Sequence, residues 1–122
     1  MFQVDPLSRQ PVYEQIVQQM ERFILNQVLV PGDQIPSVRS LSLQLSINPN
    51  TIQKAYAELD RRNLIQSVPG KGCFIRQDAD SYIRAHMRGR LDEMKLLLEE
   101  FKLAKIGEEE ILELVREVYS KH

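Results

Sequence analysis

The 122-residue chain predicts a mainly α-helical fold carrying one small β-hairpin, and three observations lead there. Apolar residues recur at spacings of three and four over residues 12–25, as one buried helix face requires. Two further short helical segments are separated by a tight Ser46-Ile47-Asn48-Pro49 break and followed at once by a hairpin with a Gly/Pro tip. From residue 80 onward an amphipathic stripe takes over. The order helix, helix, turn, helix, hairpin is that of a winged helix-turn-helix, placed here at residues 1–77, with a C-terminal two-helix hairpin at 78–122.

Each element has a local cause. The first helix is expected from Pro11, whose fixed φ suits a first helical position, to about Val28, with Val12, Ile16, Val17, Met20, Ile24 and Leu25 on one face. Pro31-Gly32-Asp33 stops it. Ser37 is placed to cap a short helix from Val38 to Leu45. Asn48 as N-cap and Pro49 at the first position restart the chain as a third helix reaching about Arg62. On it Ile52, Ala55 and Leu59 share a face that packs, while Asn50, Gln53, Lys54 and Arg61 point largely elsewhere. The period then becomes extended from Leu64 to Val68 and from Cys73 to Arg76, around Pro69-Gly70-Lys71-Gly72. Ile83, Met87, Leu91, Met94, Leu98 and Phe101 form the later stripe. Gly107 interrupts it, and Glu108 to Glu110 suit the positive end of a last helix whose apolar face includes Ile111, Val115 and Val118.

Composition bounds the function. Hydrophobic residues at 43% and charged residues at 27% are ordinary for a globular chain. No apolar run approaches the roughly 18 to 20 residues of a membrane span, and the N-terminus has no signal-peptide pattern, so a cytoplasmic protein without a membrane partner is expected. One cysteine, Cys73, cannot form an internal disulfide, and no Cys/His cluster has metal-ligand spacing, so no metal and no cofactor are expected. Cys73 is expected as a small core residue, and His86 and His122 at the surface. No Ser/His/Asp or Cys/His set argues for an enzyme, and the Gly-rich stretch lies between strands rather than ahead of a helix. The net charge of −1 hides an uneven distribution: residues 37–76 hold six bases against two acids, a patch able to meet phosphates.

A B-DNA major groove of about 12 Å admits one helix whose N-terminal side chains reach base edges. Asn50, Thr51, Gln53 and Lys54 occupy that part of the third helix. Asn and Gln pair bidentately with adenine, Lys reaches guanine or phosphate, and Thr meets phosphate or a thymine methyl. Arg39, one residue past the Val38 start of its helix, faces an anion better than it faces the core. Lys71 between Gly70 and Gly72 is held at a sharp tip, placed to enter a minor groove or meet phosphate. Tyr56 is open between two readings, a packed ring or a hydroxyl offered to phosphate.

Pro31-Gly32-Asp33-Gln34-Ile35-Pro36-Ser37-Val38-Arg39, then Asn48 to Tyr56, then Gly70-Lys71-Gly72 resemble, in that order and with those separations, the GntR family of bacterial repressors. The resemblance covers roughly residues 9–76 and implies a homodimer on a palindromic double-stranded DNA operator, with the positions matching Arg39, Thr51, Gln53 or Lys54 and the wing tip at the DNA. Ser37, Asn50, Tyr56 and Gly70 complete the candidate DNA-binding set. The short tail resembles the YtrA branch, which implies a dimerisation hairpin in place of a large effector domain, and a link to transport operons. Ile83, Met87, Leu91, Met94, Leu98, Phe101, Ile111, Val115 and Val118 are the candidate dimerisation residues, since the stripe exceeds what one short second helix covers. A small-molecule effector would need the dimer interface, because the tail is too short to enclose a pocket of several hundred Å³ alone. A rival reading, a winged helix used for protein–protein contact, is disfavoured by the basic balance of residues 37–76.

Overall fold

The computed structural model describes residues 1–121, so the expectation for His122 lies outside the described residues. Its elements are α1 (Val12–Leu25), β1 (Gln34–Ile35), α2 (Val38–Leu45), α3 (Pro49–Arg61), β2 (Ile65–Val68), β3 (Gly72–Ile75), α4 (Ala79–Gly89), α5 (Leu91–Leu103) and α6 (Glu108–Ser120). They divide into two compact units, Met1–Ala85 and His86–His122.

The first unit has one core. Ile16, Met20, Leu41, Ile52, Leu59, Leu64 and Ile65 are almost fully excluded from water, which places α1, α2, α3 and the sheet around a common centre. The sheet is antiparallel in the order β1-β3-β2, with Ile65 opposite Ile75 and Val68 opposite Gly72. β1 is a strand that periodicity does not reveal: two residues are too few to alternate, and it exists because Gln34 and Ile35 pair with Phe74 and Cys73. Cys73 is half-buried and packs against the core as a small side chain.

The N-terminal arm is docked by two glutamines a helical turn apart on α1. Gln15 Oε1 accepts from Asp5 N at 2.8 Å while its Nε2 donates to the Asp5 and Gln10 carbonyls at 2.9 and 2.8 Å. Gln19 treats Gln3 in the same way, accepting from its amide at 2.9 Å and donating to its carbonyl. Side-chain amides thus serve the arm as a strand partner would, leaving the buried Gln15 satisfied. Phe2 closes the end by standing edge-on to Phe23 at 5.2 Å between centroids.

Helix stops differ from the expectation. α1 ends at Leu25, not Val28, because Gln27 turns left-handed at φ 60° and Val28 N donates back to Phe23 O. Ser46 (φ 54°), Asn63 (φ 64°) and Lys105 (φ 62°) end α2, α3 and α5 in the same motif, with Ile47, Leu64 and Ile106 amides returning to Ser42, Leu59 and Phe101 carbonyls. None of the four is glycine.

The tail also needs correction. The expected boundary at residue 77 lies instead at Ala85, because Ala79 and Ile83 are buried in the first unit's core. Ile83, expected at the dimer surface, is only 2% exposed and is core. The stripe is not one helix: at Arg90 the amide reaches back three residues to Met87 O, and α5 starts anew at Leu91. In the second unit no residue of α5 or α6 is buried, so the two helices are joined in sequence without enclosing a core of their own.

Candidate nucleic-acid interface

The helix-turn-helix is built from caps. Ser37 is extended (φ −64°, ψ 161°) and its Oγ accepts from Ser40 N at 3.0 Å, which starts α2 and leaves Arg39 exposed on the first turn. Ser42 Oγ donates to Ile47 O at 2.5 Å, fastening the turn. Asn48 Oδ1 then accepts from Asn50 N at 2.8 Å and Pro49 enters as the first helical residue. Ile52, Ala55, Tyr56 and Leu59 are buried at helical spacing, so α3 is anchored along one side and presents Asn50, Gln53 and Lys54 on the other. Thr51 is half-buried at the edge.

Tyr56 resolves to the inward reading. It is 5% exposed, and its hydroxyl donates to Pro36 O at 2.6 Å. Burial pushes the phenol well above its ordinary pKa. The hydroxyl is therefore not offered to phosphate; it ties α3 to the residue preceding the Ser37 cap, and so sets the two helices against each other.

The wing tip is Pro69-Gly70-Lys71, with Lys71 N donating to Val68 O at 2.9 Å and Gly70 at φ +76°, the Pro-Gly arrangement of a type II turn. Gly72 is required by its backbone. Its φ of +121° strains any side chain, and a Cβ there would stand 2.5 Å from Gln34 Nε2 and displace that amide. That nitrogen donates to Lys71 O at 3.0 Å, so β1 braces the tip while the Lys71 side chain stays exposed. Gln34 was not singled out by sequence; its contact spans 37 residues of chain.

Electrostatics sort the cations. Arg62 bonds Glu21 at 3.1 Å and Glu58 Oε2 at 2.7 Å, and Arg61 bonds both oxygens of Glu58, so both arginines are paired within the fold. The hydrogen bonds from Arg61, with Arg62 behind them, lower the Glu58 carboxyl to about 2. Arg39, Lys54 and Lys71 have no carboxylate partner among the described residues. Lys54 has another neighbour that sequence reasoning missed: its Nζ lies 4.1 Å from the centroid of the Tyr13 ring on α1.

On the second unit and the end of α4, Met87, Leu91, Met94, Leu98 and Val118 are exposed, while Phe101, Ile111 and Val115 are half-buried. Leu96, Leu97 and Leu103 are also exposed and extend the apolar surface beyond the residues picked from spacing. Among the described residues no group of His, Cys, Asp and Glu is placed to hold a metal, and no helix is long and apolar enough to cross a membrane.

A capped helix-turn-helix with a polar outer face, followed by a β2–β3 hairpin that pairs with β1 and carries a lysine at its tip, defines a winged-helix DNA-binding regulator. The description "Bacterial regulatory proteins, gntR family" matches residues 12–75, and the chain belongs to this family. It is 37% identical over 119 residues to the HTH-type transcriptional repressor YtrA of Bacillus subtilis (strain 168), covering 97% of this chain and 92% of that one. The crystal structure of a transcriptional antiterminator from Listeria monocytogenes EGD-e matches with a TM-score of 0.77 at 37% identity, covering 99% of this chain and 90% of that chain. AraR(DBD), solved in complex with operator ORX1, matches with a TM-score of 0.53 at 32% identity over 62% of this chain and 92% of that chain. The chain is thus a DNA-binding transcriptional regulator of the YtrA type, and its family and relatives are regulators rather than enzymes.

Proposed function

We propose that this regulator is a repressor that binds an inverted-repeat operator as a homodimer, one α3 in the major groove of each half-site. The observation that carries this reading is that Arg39 on α2, Lys54 on α3 and Lys71 at the wing tip are exposed and have no carboxylate partner among the described residues, while α3 also exposes Asn50 and Gln53. Asn50 and Gln53 read base edges, Thr51 reaches phosphate or a thymine methyl, and Arg39 and Lys71 neutralise phosphates. Ser37 shapes the backbone approach by capping α2, and Gly70 by permitting the tip. AraR(DBD) on its operator supports the use of such a domain on DNA, and the name of the Bacillus relative supports repression. The dimer forms through the exposed apolar faces of α5 and α6, together with Met87. A transport operon as target follows from the YtrA branch, and a protein meeting chromosomal DNA works in the cytoplasm.

Two-fold symmetry then sets half-site centres about 34 Å apart, one helical turn of DNA. The test is a salt titration of the full chain on an inverted-repeat duplex selected from a random-sequence pool, alongside the same duplex with one half scrambled. Counterion release makes the slope follow the number of phosphates neutralised, so the intact repeat should bind more tightly and with a steeper slope. Equal affinity and slope on both duplexes would overturn the symmetric dimer.

A further inference from the structure

We propose that Tyr13 is a positioning residue for DNA binding: its ring on the first turn of α1 holds the Lys54 ammonium in place as a phosphate contact. The inference rests on the reading that the outer face of α3 meets DNA, and it concerns how that face is prepared.

The Lys54 Nζ stands 4.1 Å from the Tyr13 ring centroid, well inside the roughly 6 Å over which an aromatic face attracts a cation. The ring is a fixed platform, since Tyr13 packs half-buried against the core. The ammonium has no carboxylate partner among the described residues, because the acid that helical spacing would offer it, Glu58 four residues along, is held by Arg61 and Arg62. Arg62 is held in turn by Glu21 on α1. Two contacts of α1, one with the C-cap residue of α3 and one with α3 itself, therefore act in opposite senses: Glu21 with Arg62 withdraws an arginine and its acid from the surface, while Tyr13 steadies a lysine without neutralising it.

A free lysine loses rotamer entropy when it meets a phosphate, and a lysine already resting on a ring loses less. Three ammonium donors remain for oxygen acceptors, because attraction to a ring face consumes no hydrogen-bond acceptor. The arrangement divides labour between neighbours. Lys54, leaning on α1, serves the phosphate backbone, while exposed Gln53 has no such tether among the described residues and serves base edges.

The experiment uses the full chain and a duplex it selects from a random-sequence pool. Tyr13→Leu should lower affinity roughly two- to five-fold, alike across duplexes of different sequence, and flatten the salt slope by up to about one counterion. Tyr13→Phe keeps the ring and should restore parent behaviour, and Tyr13→Leu should add nothing in a Lys54→Met background. Proton NMR of the free chain gives an independent reading, since ring current should shift the Lys54 ε-methylene upfield in the parent and in Tyr13→Phe but not in Tyr13→Leu. If Tyr13→Leu fails to fold, a graded series of fluorinated phenylalanines at position 13 takes its place, with affinity falling as the ring face loses electron density. A parent that selects no duplex overturns both this proposal and the function it rests on. A parent that binds and is weakened by Lys54→Met, yet is indifferent to Tyr13→Leu, overturns this proposal alone, as does an equal effect of Tyr13→Leu with and without Lys54.

Discussion

The two compact units handle the same kind of sequence pattern differently. In Met1–Ala85 the amphipathic faces of α1, α2 and α3 converge, and Ile16, Met20, Leu41, Ile52 and Leu59 are fully buried. In His86–His122 the apolar residues of α5 and α6 are as regularly spaced, yet Leu91 is 60% and Val118 61% exposed. Amphipathicity reports that a face must be covered; it does not say by what. The first unit supplies its own cover, and the second leaves its faces to whatever the chain meets, which here is proposed to be a second copy.

The sharpest way to break this contrast is a matched pair of truncations. Leu59→Ala in the first unit should cost about 2 to 5 kcal/mol in urea unfolding, because a fully enclosed leucine leaves a cavity. Leu97→Ala, at a site 48% exposed, should cost under about 0.5 kcal/mol when the chain is dilute. Equal losses would show that the second unit has a core after all.

A second intervention acts on assembly. Leu91→Glu with Leu98→Glu should convert the chain to monomer in sedimentation velocity, since the dimer would have to bury unpaired charge. The melting temperature should then stop depending on concentration while the first unit stays folded. An unchanged sedimentation profile would remove α5 from the interface.

Acid sharpens the comparison within the first unit. Glu58 is lowered in the fold to about 2 from an ordinary 4.5 by Arg61 and Arg62, so its contribution is present above pH 4.5 and is lost as pH falls toward 2. Urea midpoints for the parent should decline over that window more steeply than those of Glu58→Gln. Parallel curves would mean that the network adds nothing to stability.

The smallest expected effect tests a helix end in the second unit. Lys105 is held at φ 62°, where a side chain is strained, and Lys105→Gly should stabilise by about 0.5 kcal/mol after the added freedom of the unfolded chain is offset. A loss of stability would show that the lysine side chain stabilises the turn by more than the strain costs.

Much of the site was legible because its causes are local. Ser37 and Asn48-Pro49 act on amides two or three residues away, so the start of α2 and the start of α3 fall where the sequence puts them. Helix ends were harder. Gln27 and Lys105 occupy left-handed positions that sequence reading assigns to glycine, so α1 ends three residues before the expected Val28, and the stop expected of Gly107 is made by Lys105. Gly107 instead precedes α6 as its N-cap residue.

By itself, then, the sequence determined what is short in range: the caps, the turn between α2 and α3, the glycine-permitted wing tip and the periodic faces of the helices. The tertiary structure decided the rest. It turned the Tyr56 hydroxyl onto Pro36, set Lys54 on Tyr13, braced Lys71 with Gln34, docked the arm through Gln15 and Gln19, and drew Ile83 into the first core. The physical reason is separation along the chain. A contact across 20, 37 or 16 residues leaves no period and no motif in either partner, because each side chain obeys its own local rules and only folding brings the two within reach.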